Sequence, residues 1–164
     1  MNKVNLIYGV GDVLHTHVNI NPFAEDADGE TIIRADVINL DEYVDDAELT
    51  ELVAEDVVDY IGSDKAEQTI NNWVKKIRIG GKIIIGGVDI LEVSKSLSQY
   101  RIDVTEANRL IYGEQTRPYL FKKSGFTCVG IAEYLEGVFG LRILKKRINN
   151  YKMIVEAQRY ENSN

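Results

Sequence analysis

The sequence has 164 residues, a usual size for one domain built around one core. Its apolar share of 45% and charged share of 27%, without a long Ser/Pro-rich or low-complexity tract, exclude a disordered chain or a linker. The net charge of −7 opposes non-specific attraction to a phosphate backbone, although Lys145-Lys146-Arg147 forms a local basic cluster. No apolar run reaches the ~18 residues a membrane span needs, and the start passes directly into a strand-like segment with no secretory pattern, so the cytoplasm is the expected location. The single cysteine, Cys128, can form neither an internal disulfide nor a cysteine-based metal site, and it reads as a small buried residue.

Strand and helix signals alternate along the chain, as in a sheet built from crossover units. Val4 to Tyr8 is a short apolar strand entering the glycine turn Gly9-Val10-Gly11, and His17 to Ile20 is a second strand ended by Asn21-Pro22. Thr31 to Arg34 reads as a third strand leading to Asp36, and Leu49 to Ala54 as a fourth, where the surrounding acids also allow a helix. From Ser63 the period changes: Ile70, Trp73, Val74 and Ile77 fall at helical spacing, with Gly80-Gly81 as the stop. Lys82 to Val88, rich in isoleucine, has the pattern of a central strand buried on both faces. Helices are predicted after Asp89 through Leu91, Val93 and Leu97, from Val104 to Ile111, and from Ile131 to Phe139 before Gly140, with a polar loop between Gly113 and Phe126. Leu141 to Ile148 and Tyr151 to Gln158 form a closing hairpin through Asn149-Asn150. One domain over 1–160 is expected, with a frayed tail at 161–164 and no internal repeat.

Asn5-Leu6-Ile7-Tyr8-Gly9-Val10-Gly11-Asp12 sits where one family has a strand followed by a Gly-x-Gly turn, and Val18-Asn19-Ile20-Asn21 matches its valine-asparagine-valine-aspartate second strand. Ala35-Asp36-Val37, the passage from Trp73 through Gly80-Gly81 to Ile85, and Tyr112-Gly113-Glu114-Gln115 continue the match. The chain resembles the small class I S-adenosylmethionine-dependent methyltransferases, particularly the compact glycan-associated or phage-type members. The resemblance implies an α/β, three-layer Rossmann-like fold with a mostly parallel central sheet and a C-terminal antiparallel hairpin. It also implies S-adenosylmethionine as cofactor and a small-molecule or sugar acceptor, with no metal.

A glycine turn at the carboxyl end of the first parallel strand lets the backbone approach a nucleoside at the sheet's switch point, which makes Gly9 and Gly11 cofactor candidates. By resemblance Asn21, where the family has aspartate, faces the ribose hydroxyls, and an amide accepts there through one oxygen only. Asp36 either accepts from the adenine amino group or serves as a turn residue after the third strand. Tyr8 either stacks beside the ligand or partly fills the pocket, and Glu55 completes the cofactor set. The family's histidine and glutamate-histidine pair after the fourth strand are replaced by Asp56, Asp59 and Tyr60. A base for a hydroxyl or protonated amine acceptor is therefore sought among Asp56, Asp59, Glu55 and His15, each of which a solvated surface also explains. Arg117, Lys122 and Lys123 suit an anionic or sugar-phosphate acceptor or a plain solvated loop.

Three functions remain open. The first is methyl transfer to a small molecule or sugar. The second is a degenerate member acting as a binding or structural module. The third, a different nucleotide-binding enzyme, is opposed by the absence of a third fingerprint glycine after Gly9-Val10-Gly11. A homo-oligomer paired through the terminal hairpin is compatible with the sequence.

Overall fold

The structure is a computed structural model that describes residues 2–25 and 32–161. Seven strands form one sheet: β1 (Lys3–Leu6), β2 (Val18–Ile20), β3 (Ile32–Ile33), β4 (Leu49–Ala54), β5 (Ile77–Val88), β6 (Arg142–Asn149) and β7 (Lys152–Gln158). Their order across the sheet is β3-β2-β1-β4-β5-β7-β6. β1 to β5 pair in parallel, and β7 inserts antiparallel between β5 and β6. This is the mostly parallel sheet with an antiparallel closing pair that the sequence leads one to expect. Thr31 lies outside the described residues, as do 162–164 of the tail.

The two-residue period of the strands sorts the sheet into a buried and a polar face. Val4, Leu52, Ile83 and Ala157 are partners across four strands and all are fully buried. The adjacent row, Lys3, Glu51, Lys82 and Gln158, points the other way. Glu51 accepts Lys3 at 3.5 Å and meets His17 Nε2 at 2.8 Å, and Lys82 pairs with Glu156 at 2.9 Å.

The main core joins the apolar face to α1 (Ser63–Lys76) and α4 (Cys128–Phe139) through Ile70, Trp73, Val74, Ile131 and Leu135. Cys128 is buried within it. The described connections from β1 to β2 and from β3 to β4 hold no helix. The first is a loop bonded onto the polar face through Asn5, Asn19 and His17. The second docks on α1 instead: Trp73 Nε1 donates to Val37 O at 2.8 Å, and Leu40 N donates to Asn72 Oδ1 at 2.9 Å. Val37, Leu40 and Val44 are buried beneath it.

Gly80-Gly81 does not stop α1, which ends at Lys76; β5 begins at once at Ile77, and the glycines lie inside it. Gly80 has φ +81°, and the register against β4 slips between Leu49 and Glu51, so the pair marks a bulge where the chain needs a left-handed residue. The hairpin turn falls at Asn150 and Tyr151, both with positive φ, one residue beyond the expected position.

Beyond β5, α2 (Ile90–Ser98) and α3 (Val104–Tyr112) pack on each other around Val88, Val93, Ala107 and Leu110, a second cluster separate from the main core. Asp89, 1% exposed, joins these parts: Oδ1 accepts Glu92 N at 3.0 Å and caps α2, while Oδ2 accepts Cys128 N at 2.8 Å at the start of α4.

Candidate functional site

The parallel strands end together at the glycine turn. Gly9 has φ +77°, a left-handed conformation that glycine adopts without penalty. Asn21, at the end of β2 and 5% exposed, braces it: Oδ1 accepts Gly9 N at 3.1 Å and Phe23 N at 3.0 Å, and Nδ2 donates to Gly9 O at 3.1 Å. Its carboxamide oxygen thus carries two donors already, and the side chain expected at the ribose is a backbone clamp. Asn5 and Asn19 extend the clamp. Asn5 Nδ2 donates to Asp12 O and to Asn19 Oδ1, both at 2.8 Å, and Asn19 bonds Leu14 N and Leu14 O at 3.0 and 3.1 Å. Alternation in a strand gives no hint of such an amide network, and the sequence reading, which matches both residues to motifs, assigns neither a role.

An aromatic row lies over the turn. Tyr8 stacks on Tyr60, with centroids 5.0 Å apart and planes 11° off parallel, and meets Phe23 edge-on at 5.0 Å. Phe23 stacks on Tyr119 at 3.9 Å and 8°. The Tyr119 ring rests against the glycine turn so closely that a Cβ at Gly9 would stand 2.6 Å from Tyr119 Cε2. Burial, followed by the nearby Asp56 and Asp59, pushes the Tyr60 hydroxyl up to about 12, and burial also raises that of Tyr8.

Two open chambers flank Val10, Asp56 and Lys152, which line both. The first, about 290 Å³, lies against the turn and the end of β4, with Gly11, Asp12, Glu55 and Leu14 in its walls. The second, about 350 Å³, is formed with Tyr60, Arg109, Glu114, Lys122 and Asn150. Asp56 follows β4 with φ +54°, its amide donating to Gly86 O at 3.1 Å. Its Oδ2 meets Lys152 Nζ at 2.7 Å, and that bond holds the ammonium above its usual range. Lys152 is supplied by the tip of the β6–β7 hairpin, too far along the chain for spacing to reveal.

The remaining candidates are placed differently. Asp36 is exposed, with Oδ1 accepting Ile38 N at 2.9 Å, the turn role weighed for it from sequence. His15 lies in the exposed loop before β2 and is not among the lining residues of either chamber. Asp59 is 1% exposed: Oδ2 accepts Val88 N at 3.0 Å and pairs with Lys122 Nζ at 3.2 Å. Burial raises its carboxyl, Lys122 opposes that shift, and Oδ1 has no hydrogen-bond partner among the described residues. Asp59 lines neither chamber; in this structure its carboxylate braces Val88 N and Lys122 beneath the second one. Lys122 is correspondingly turned inward, away from the exposed Arg117 and Lys123 with which its charge is grouped in the sequence.

No family model matches this chain, and no curated protein sequence matches it. Solved structures do. An O-methyltransferase family protein from Burkholderia thailandensis superposes with a TM-score of 0.62 at 12% identity, over 98% of this chain and 52% of that one. The chain thus spans about half the length of that protein. A SAM dependent methyltransferase from Archaeoglobus fulgidus gives 0.62 at 14% identity, over 96% of this chain and 86% of that one. The 1,6-didemethyltoxoflavin-N1-methyltransferase of Burkholderia thailandensis, solved with 1,6-didemethyltoxoflavin and S-adenosylhomocysteine, gives 0.61 at 13% identity over 96% and 71%. The chain has the Rossmann-like fold of these methyltransferases. Among the described residues no helix is long and apolar enough to cross a membrane.

Proposed function

We propose that this chain is an S-adenosylmethionine-dependent methyltransferase acting on a small-molecule or sugar acceptor, working in the cytoplasm. The observation that carries the reading is the pair of chambers meeting at Val10, Asp56 and Lys152, beside the glycine turn at the sheet's switch point. One chamber suits the charged end of a cofactor and the other an acceptor, and their shared wall is where a methyl group would cross.

The residues of the first chamber fit the charged end of that cofactor. Asp12, Glu55 and Asp56 offer carboxylates toward an α-ammonium and a sulfonium, and Lys152 offers an ammonium toward a carboxylate. The bound cofactor supplies an already electrophilic methyl group, so the protein's task is chiefly alignment. Gly11 stands in the chamber wall against Ile7, where a Cβ would lie 3.1 Å from Ile7 Cγ2. Asp56, open to both chambers, can accept the proton of a hydroxyl or ammonium acceptor once its bond to Lys152 exchanges. Tyr60 and Glu114 give the acceptor chamber polar partners suited to a hydroxylated compound, including a glycan.

Calorimetric titration with S-adenosylhomocysteine tests the reading. The wild type is expected to bind at one site, and Gly11→Val, which presses a branched side chain against Ile7 in the wall of the first chamber, to lose that heat while keeping the buried emission of Trp73. Absence of heat from the wild type at millimolar ligand would overturn the reading in favour of a non-catalytic binding module.

A further inference from the structure

The aromatic row occupies the place beside the glycine turn that a nucleoside would need, and its outermost ring comes from a different part of the chain. Tyr119 belongs to the loop between α3 and α4, whose neck is closed by Lys122 N donating to Tyr112 O at 3.0 Å and Gln115 N donating to Leu120 O at 3.2 Å. Leu120 N also donates to Arg117 O at 3.0 Å. These bonds fix residues on either side of Tyr119, while 114–118 stand exposed. A change at the tip can therefore carry the ring away with the neck intact. On the inner side the row is firmly set: Phe23 N is tied to Asn21, and Tyr8 is held between Tyr60 and Phe23.

At 3.9 Å, Phe23 and Tyr119 are in contact, and no second planar ring can enter between them. Removing only Tyr119 uncovers the face of Phe23 on which it stacks and the side of Gly9 against which its Cε2–Cδ2 edge rests, space that a planar ring could take. We infer that Tyr119 is an internal plug, a side chain standing in for the purine of a nucleoside ligand and leaving Gly9 and Phe23 when that ligand binds. The inference rests on the nucleoside-cofactor reading above and adds a competitor built into the chain. Because a ligand sees only the fraction of molecules with the ring displaced, its apparent affinity falls by that fraction, and deleting the ring restores it.

The test is titration of wild type, Tyr119→Ala and Tyr119→Phe with S-adenosylhomocysteine and with adenosine, each variant first checked for the buried emission of Trp73. Tyr119→Ala is expected to bind both ligands about tenfold more tightly than wild type, as for a ring displaced in about one molecule in ten, and Tyr119→Phe to stay close to wild type. Equal or weaker binding by Tyr119→Ala, with the wild type binding, overturns the plug and leaves the cofactor reading standing. No binding by any of the three overturns both. Nuclear Overhauser contacts between the Tyr119 ring and Gly9 Hα give a readout on the unaltered chain: they are expected to vanish at saturating S-adenosylhomocysteine, and their persistence in the complex overturns the plug.

Discussion

Asn21 shows how one atom changes a residue's task. The amide donates to Gly9 O and accepts from Gly9 N, and a carboxylate could do only the second. Asn21→Asp would therefore set an anion 3.1 Å from a carbonyl oxygen in a buried position. A loss of about 1 to 3 kcal/mol in urea unfolding is expected, the size of a buried group left unsatisfied; an unchanged midpoint would show that the clamp is not formed. Lys122 makes a second test. Asp59 has its carboxyl raised by burial, and Lys122 is the largest opposing influence, so Lys122→Met strands a buried charge at a cost of about 3 to 5 kcal/mol. For an acid raised in the folded state, the fold holds more protons than the unfolded chain from the ordinary carboxylate range up to the folded value, and stability falls as pH rises through that window. Losing Lys122 widens the window upward, so the variant's deficit in urea unfolding should be larger at pH 8 than at pH 5. An equal deficit at both would mean that Asp59 does not titrate there. The glycine turn and the acids after β4 were legible in the sequence because they are local. Phe23, Tyr119 and Lys152 were not, since stacking and ion pairing across distant segments leave no spacing to read.

At the scale of elements, hydrophobic period and strand alternation, with Gly140 as the stop of α4, carried most of the legible information, whereas the N-caps of α3 and α4 were not read. Thr127 and Asp103 accept from Gly130 N and Glu106 N at the starts of α4 and α3, and Gly140 closes α4 in the left-handed region. The misread boundary at Gly80-Gly81 has a physical origin: a glycine pair after a helical period looks the same whether it ends the helix or bulges the next strand. Only pairing with β4 distinguishes the two. Asp89 is the element-scale residue to test, because its two oxygens serve two helices, one local and one 39 residues away. Asp89→Ala is expected to cost about 2 kcal/mol, two capping bonds at ~1 kcal/mol each, and Asp89→Asn about half of that because its single oxygen keeps one of them. Thermal unfolding followed at Trp73 measures both, and a tolerant Asp89→Ala would show that α4 does not depend on this cap.

For the molecule as a whole, charge and packing are both uneven. The first 60 residues hold fifteen carboxylates and two Lys or Arg, and the remaining 104 hold eleven and seventeen. The sheet order places the acidic part at the β3 edge and the basic part at the β6 edge. The main core runs beneath both parts, through strands β1 to β7, α1 and α4, whereas α2 and α3 rest on a four-residue cluster with Ile102, Ile111 and Tyr151 at its margin. Several of their apolar residues, Leu91, Val104 and Tyr112 among them, remain exposed. Free energy of local opening follows buried apolar contact, so the α2–α3 unit should open below the global free energy, and the loop carrying Tyr119, which follows α3 directly, should loosen with it. Native-state hydrogen exchange at rising sub-denaturing urea would show this as α2 and α3 amides exchanging through an opening cheaper than that of α1, α4 and β5. Addition of S-adenosylhomocysteine is expected to slow the α1, α4 and β5 amides through overall stabilisation, since ligand binding to the folded state raises the global free energy. If displacing Tyr119 draws on the same opening that frees α3, the α2–α3 amides should gain less protection than the core. Equal protection of both would mean that the ring moves by itself on a unit that stays closed.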